Sequence, residues 1–267
     1  MLAIAAVPPD LVDATDSFYC PRMSSAAPKC WICGDVATTR EHRMLRAAAR
    51  IILGGDPAPG KHWFLHEDDK DNQPLQSTDS KLLKPNFDLC AYCNNTRTQP
   101  HDRALEQFVR EMVRRYPDPL PGIAIQPRNL YPKNVAEWML RLHLYYVKKL
   151  GCAVVEAINA GKPPIAVDLS PAAHAIRTER AFPDLYLRFG CRQLAWPPIA
   201  RAKIDGMNDN ATSKCIWLDW CDYYGPYAIH VIYAANAAKR HPLLAGAWHP
   251  RFGLGKLRLA STHKPIR

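Results

Sequence analysis

Two long segments of the chain repeat apolar residues at the period of an α-helix. In the first, Leu105, Phe108, Val109 and Met112 form a stripe behind Pro100, whose fixed φ suits a first helical turn. Arg110, Arg114 and Arg115 gather toward its C-terminal end, where the helix dipole favours cations. Pro117, Pro119 and Pro121 stop it, and this proline-rich stretch up to Pro132 reads as a domain boundary. The second helix is capped by Asn134 and carries Val135, Trp138, Met139, Leu142, Tyr146 and Leu150 on one face, ending at Gly151. Its aromatic stripe is expected to be core. A shorter helix over Cys152 to Ala160 should follow, and Ser170-Pro171 has the N-cap and N1 signature of another.

From Asp184 the period changes to two. Leu185 to Phe189 alternates as a strand, Cys215 to Trp220 and Tyr227 to Tyr233 read as paired strands around Tyr224-Gly225-Pro226, and Lys256 to Leu259 is a short edge. The expected architecture is α+β, with residues 133–267 forming helices followed by a small antiparallel sheet. Residues 1–28 lack a sustained period and read as a loosely ordered lead-in. The acidic, polar run Glu67 to Gln73 is expected to be a solvated loop.

Composition narrows the class. With 48% apolar and 22% charged residues in 267, the chain can bury a core, which excludes global disorder. The stretch Met1 to Pro9 is too short to span a membrane and lacks a basic lead, so the protein is expected to be cytoplasmic. The formal charge of +10 is uneven. Through Lys133 there are 17 Lys+Arg against 16 Asp+Glu, a net of +1, and from Asn134 onward 18 against 9, a net of +9. Such a basic half suits a polyanion, which gains affinity through phosphate contacts and counterion release.

Nine cysteines is an odd number, so a complete intramolecular disulfide framework cannot use them all. Cys20, Cys152, Cys191, Cys215 and Cys221 stand alone and are expected to be buried, inert thiols. The other four form two CxxC pairs, Cys30/Cys33 and Cys90/Cys93, with 56 residues between them. In Cys30-Trp31-Ile32-Cys33-Gly34-Asp35 the glycine permits the tight turn that lets two sulfurs face one ion. Together the pairs offer the four soft ligands of a closed, tetrahedral, structural zinc site that clamps two distant stretches of chain.

Three further pieces lie around the knuckles. Thr38-Thr39-Arg40-Glu41-His42-Arg43 puts a carboxylate beside an imidazole. Lys84-Pro85-Asn86-Phe87-Asp88-Leu89 runs into the second pair, and Asn94-Asn95-Thr96-Arg97-Thr98-Gln99-Pro100-His101-Asp102 leaves it. In this combination the chain resembles the HNH endonucleases with the ββα-metal core, in the subgroup whose core is clamped by a four-cysteine zinc. The resemblance implies a nuclease unit over residues 29–117, with the basic remainder gripping or selecting nucleic acid. It implies His42 as general base, Glu41 and Asn94 as oxygen ligands of a single catalytic Mg²⁺ or Mn²⁺, and Asn86 bracing the loop that carries the base. Arg43, Arg97 and Lys84 are the expected phosphate contacts. Asn95 stands as an alternative to Asn94, and His101 and Asp102 are secondary ligand candidates. One departure is that Arg43-Met44-Leu45 follows the acid-His pair, where relatives have an aliphatic residue and then proline.

The expected partner is nucleic acid, double-stranded DNA ahead of RNA, without a membrane. A homodimer would follow if cutting is symmetric. The competing reading is a zinc ribbon that keeps the fold without catalysis and acts as a nucleic-acid-binding or assembly module.

Overall fold

A helix that is apolar on every side must be enclosed by other elements, and the stretch Leu142 to Val154 is of that kind. The computed structural model describes residues 27–42, 44–55, 63–67, 70–78, 80–83, 89–159, 167–192, 199–201, 205–209, 211–212, 214–235 and 242–261. Their elements in chain order begin with α1 (Arg46–Leu53), β1 (Trp63–Glu67), β2 (Lys70–Leu75), α2 (Gln99–Arg115), β3 (Ala124–Ile125) and α3 (Pro127–Leu130). Then come α4 (Val135–Asn159), α5 (Ser170–Thr178), β4 (Leu185–Cys191), β5 (Ile199–Arg201) and β6 (Asp205–Asn208). The series closes with β7 (Cys215–Tyr224), β8 (Tyr227–Ala234), β9 (Leu257–Arg258) and β10 (Ala260–Ser261). No helix among the described residues is long and apolar enough to cross a membrane.

The architecture is mixed helix and sheet, as the change of period from helical to alternating predicts. Its main sheet has eight strands, ordered β10-β4-β8-β7-β5-β1-β2, with β6 also on β7. The central run β4-β8-β7 is antiparallel, with Leu185 to Cys191 aligned against Tyr233 to Tyr227. The sheet is larger and more mixed than its second-half strands foretell, because β1 joins β5 and β10 joins β4 in parallel. The hairpin β1–β2 comes from between the two CxxC pairs, so part of the run expected to be a solvated loop is strand. Leu65 and Leu75 explain the difference: they bury with Leu83 in a small apolar cluster that polar neighbours in the sequence mask.

One sheet face packs on α4, which packs in turn on α2. Residues from Cys30 through Phe108, Leu142 and Val231 to Leu259 belong to one continuous core. The proline-rich segment is stitched to the chain's end, where β3 pairs with β9. The expected break at Gly151 does not occur, and α4 runs on through the region predicted as a separate helix. Gly151 serves close approach instead. A Cβ built there would lie 2.2 Å from the Trp31 ring, so the indole of the first knuckle rests directly on the helix backbone. Asn134, at φ 49°, precedes α4 as expected of a residue that tolerates the left-handed region.

The cysteines outside the CxxC pairs that fall among the described residues, Cys152, Cys191, Cys215 and Cys221, are buried and form no disulfide. Burial pushes the Cys215 thiol up to about 11 and that of Cys221 up to about 12, in keeping with inert thiols.

Candidate metal centre and the ion cluster beside it

The first knuckle is a tight backbone turn. Cys30 N–H donates to Asp35 O at 2.7 Å and Gly34 N–H to Cys30 O at 2.8 Å. Gly34 has φ +85°, a conformation that disfavours any residue with a Cβ. The second knuckle opens a helix: Cys93 N–H points at Cys90 Sγ at 3.4 Å, a π-helical turn covers Cys93–Arg97, and α2 follows. The Sγ atoms of Cys30, Cys33, Cys90 and Cys93 all lie within 4.8 Å of one another, with Cys33 and Cys90 3.5 Å apart. Four thiolates around a tetrahedral zinc would sit about 3.8 Å apart, from a bond length of about 2.3 Å. The cluster fits that ion, and four sulfurs leave it no open position.

The thiols respond unevenly: burial and the neighbouring side chains lift Cys33 to about 11, and burial also raises Cys93, whereas at Cys90 the hydrogen bonds from Cys93, Cys33 and Cys30 outweigh burial and hold the thiol below its ordinary value. An ion would convert them to thiolates and release protons. Arg97, expected to contact phosphate, turns its Nη1 onto Cys93 Sγ at 3.2 Å and stacks over the Tyr92 ring at 5.0 Å. There its charge would offset part of the excess negative charge of a four-thiolate zinc centre.

Beside the thiols, two stretches of chain join at Thr39. The amides of Thr38 and Thr39 donate to Leu89 O at 3.0 and 2.9 Å, and the Thr39 hydroxyl donates to the same carbonyl at 2.9 Å. Asn94, immediately after the last cysteine, donates its side-chain amide to Thr39 Oγ1 at 3.1 Å. The segment leading to Glu41 and His42, bridged to Leu89 at Thr39, is thereby fixed against the start of the second knuckle's helix.

Glu41 then enters the interior, 4% exposed. Its Oε1 faces Lys148 Nζ at 3.1 Å and Lys149 Nζ at 3.7 Å. Lys148 also binds Asp102 Oδ1 at 2.5 Å, and Lys149 donates to the backbone carbonyl of His42. Both ammonium groups lie near the Tyr145 ring, 5.5 and 5.9 Å from its centroid. Two carboxylates and two ammoniums thus share one buried cluster, the arrangement an apolar interior requires of ions.

The carboxylates respond differently. Burial pushes Glu41 up, but the fields of Lys148 and Lys149 outweigh it and hold the carboxyl below its ordinary range. Burial, with the charge of Glu41 alongside, lifts Asp102 to about 6. Lys148 stays charged: its carboxylate partners overcome burial and raise it.

The remaining candidates are dispersed. His42 is half-buried and Asn95 is exposed. His101 is fully buried on α2, its imidazole driven down to about 3 by burial and by the charges of Lys148 and Arg141. Its ring nitrogens make no hydrogen bond among the described residues, and Glu179 Oε1 is 3.9 Å away. Arg43, Lys84 and Asn86 lie outside the described residues.

Sequence reasoning missed Lys148 and Lys149. The available signal was two adjacent lysines in the middle of an all-round apolar helix segment, where any charge must find a counter-ion from another element. Compared with known protein families, curated proteins and solved structures, the chain matches none of them.

Proposed function

We propose that the chain is an HNH-type endonuclease that hydrolyses phosphodiester bonds of nucleic acid, with His42 as the general base. The observation that carries this reading is the junction at Thr39. There the segment bearing Glu41 and His42 meets Leu89 and Asn94, 50 and 55 residues from Thr39 in sequence, beside the four thiols. The resemblance requires these pieces to converge, and a ββα core is the arrangement that would make them do so.

A zinc on the four cysteines would be structural, fixing both strand ends while its closed sphere keeps it from substrate. A hard catalytic cation is a different matter. Glu41, Asp102 and Asn94 are oxygen donors of the right kind for Mg²⁺ or Mn²⁺. Lys148 Nζ, however, stands 3.1 Å from Glu41 and 2.5 Å from Asp102, where a bridging dication would lie, and Lys149 brings a second positive charge. The donors as arranged do not fit that ion, and no step here runs through it. The chain's own contribution is an imidazole at His42 that accepts a proton from water as the water oxygen bonds to phosphorus. The bond from phosphorus to the leaving oxygen breaks, and that oxygen takes a proton from solvent.

The same ion cluster favours a second reading, a non-catalytic zinc-clamped nucleic-acid-binding or assembly module. Neutralising two buried lysines is reason enough for Glu41 to be present without catalysis. Incubating the full chain with supercoiled plasmid, in Mg²⁺, Mn²⁺ or chelator, beside His42→Ala, separates the two. Nicking by the wild type that falls about a hundredfold or more in the variant supports the nuclease. Equal inertness of both proteins across metals and substrates selects the module.

A further inference from the structure

α1 and α2 lie side by side with their apolar faces inward: Ala48 and Ala49 of α1 and Leu105, Phe108 and Val109 of α2 are all core. Their outer faces bound a shallow groove of about 450 Å³, lined by Arg46, Ala47, Arg50, Ile51, Glu106 and Arg110. Arg46 and Arg50 are one helical turn apart on α1, as are Glu106 and Arg110 on α2. Glu106 accepts from Arg110 Nη2 at 2.5 Å, so three guanidiniums against one carboxylate leave the lining at a net +2. Arg50 and Arg110 are exposed and Arg46 is half-buried.

We infer that this groove is a binding site for the phosphodiester backbone of nucleic acid. The inference rests on the reading that the protein acts on nucleic acid, under either of its forms, and does not require catalysis. Guanidinium forks recognise phosphate oxygens in pairs. Side chains one turn apart on a helix are about 6 Å from each other, comparable with neighbouring phosphates on one strand. The groove offers only Ala47 and Ile51 as apolar lining, too little to anchor the side chains of an acidic peptide. Its place in the chain also suits the role, since α1 begins four residues beyond the candidate base His42. Arg97, expected from the motif to contact phosphate, faces the thiols. The groove therefore supplies backbone contacts that the motif itself does not.

The test is binding of a short fluorescent DNA duplex to the full chain as purified, with its zinc retained and no Mg²⁺ or Mn²⁺ added, followed by anisotropy across a salt series. The variants are the double Arg50→Gln/Arg110→Gln, the triple that adds Arg46→Gln, and a control, Arg177→Gln/Arg180→Gln, which removes the same charge from the exposed end of α5. The groove variants should bind roughly tenfold or more weakly and lower the log–log salt slope by about 2 to 3, at about 0.9 for each phosphate no longer neutralised. Their melting temperatures should match the wild type.

Equal weakening by the control would show that net charge matters and the groove does not. Unchanged binding by both groove variants overturns the site but leaves the nucleic-acid reading standing. A wild type that binds no duplex at any salt overturns both. In the same assay with fluorescent polyglutamate in place of the duplex, groove variants that lose polyglutamate binding while keeping duplex binding would make the groove a protein-docking face and end the proposal.

Discussion

The two charged clusters of the knuckle region are built by opposite means. The four thiols are gathered by local spacing, since each pair sits within a single turn of backbone, and only the closure between Cys33 and Cys90 is long-range. The cluster of Glu41, Asp102, Lys148 and Lys149 has no local logic: its members come from a strand end, α2 and the middle of α4. The first cluster calls for an ion from outside, whereas the second carries its own cations. Burial of charge is thus met at one place by a site that could hold an ion and at the other by a distant helix, so the two should fail differently when disturbed.

The largest effect should come from the thiols. The purified chain is expected to hold one zinc, measured by elemental analysis, and Cys90→Ser or a strong chelator should lower the calorimetric melting temperature of the whole chain steeply. Free energy on the order of 10 kcal/mol is at stake in such sites. A zinc-free chain that melts as before in chelator would remove one side of the contrast.

Next comes Glu41→Gln, which strips a carboxylate from two buried ammoniums and should cost about 3 kcal/mol in denaturant melts. The sign of its pH dependence follows from the direction of the shift. Glu41 is held below its ordinary 4.5, so its contribution is present above that value and lost as pH falls through the lower folded value. The gap between wild type and variant should therefore narrow only on strong acidification. A gap that instead narrows toward pH 8 would refute the pairing.

Gly151→Ala sets two effects against each other. Alanine favours a helix interior by about 1 kcal/mol, but its Cβ would meet the Trp31 ring at 2.2 Å. Overpacking typically costs about 1–3 kcal/mol, so net destabilisation is expected, relieved when Trp31→Leu is added. A more stable single variant would mean that the indole moves aside freely.

Asp102→Asn should be the mildest, within about 1 kcal/mol at neutral pH. With a folded value of about 6 above the ordinary 3.8, ionised Asp102 carries a cost that is fully present above pH 6 and relieved as pH falls toward 4. Wild type should gain on the variant over that window. A loss of several kcal/mol at pH 7 would show that Asp102 is an indispensable partner of Lys148.

What the sequence made legible was what its local chemistry determines. The CxxC spacing, Gly34, Pro100 and the helical stripe from Leu105 to Met112 each specify their surroundings within a few residues, and all appear as expected. The helix predicted from Asn134 starts directly after that residue and runs longer than its pattern indicates, because Gly151 reads as a stop while its close contact with Trp31 is tertiary. The β1–β2 hairpin escaped for a similar reason: its two core leucines are scattered among acidic and amide residues, and its strand partner β5 is over 100 residues away. The apolar surroundings of Lys148 and Lys149 show in the sequence that these charges need partners, but Glu41 and Asp102, which face them, are brought from elsewhere in the chain. The four thiols could be read as one group, but the ionic surroundings of Glu41 could not.

The hairpin pinned into the sheet between the two cysteine pairs changes what an ion must do to close that loop. A free stretch of 56 residues would lose considerable entropy when its ends meet, but one already tethered in its middle has less left to lose. Affinity for the metal should accordingly depend on whether the C-terminal strands have assembled, and each event makes the other easier. The two halves would then fold as one cooperative unit, with the clasp tightening only after the frame is in place.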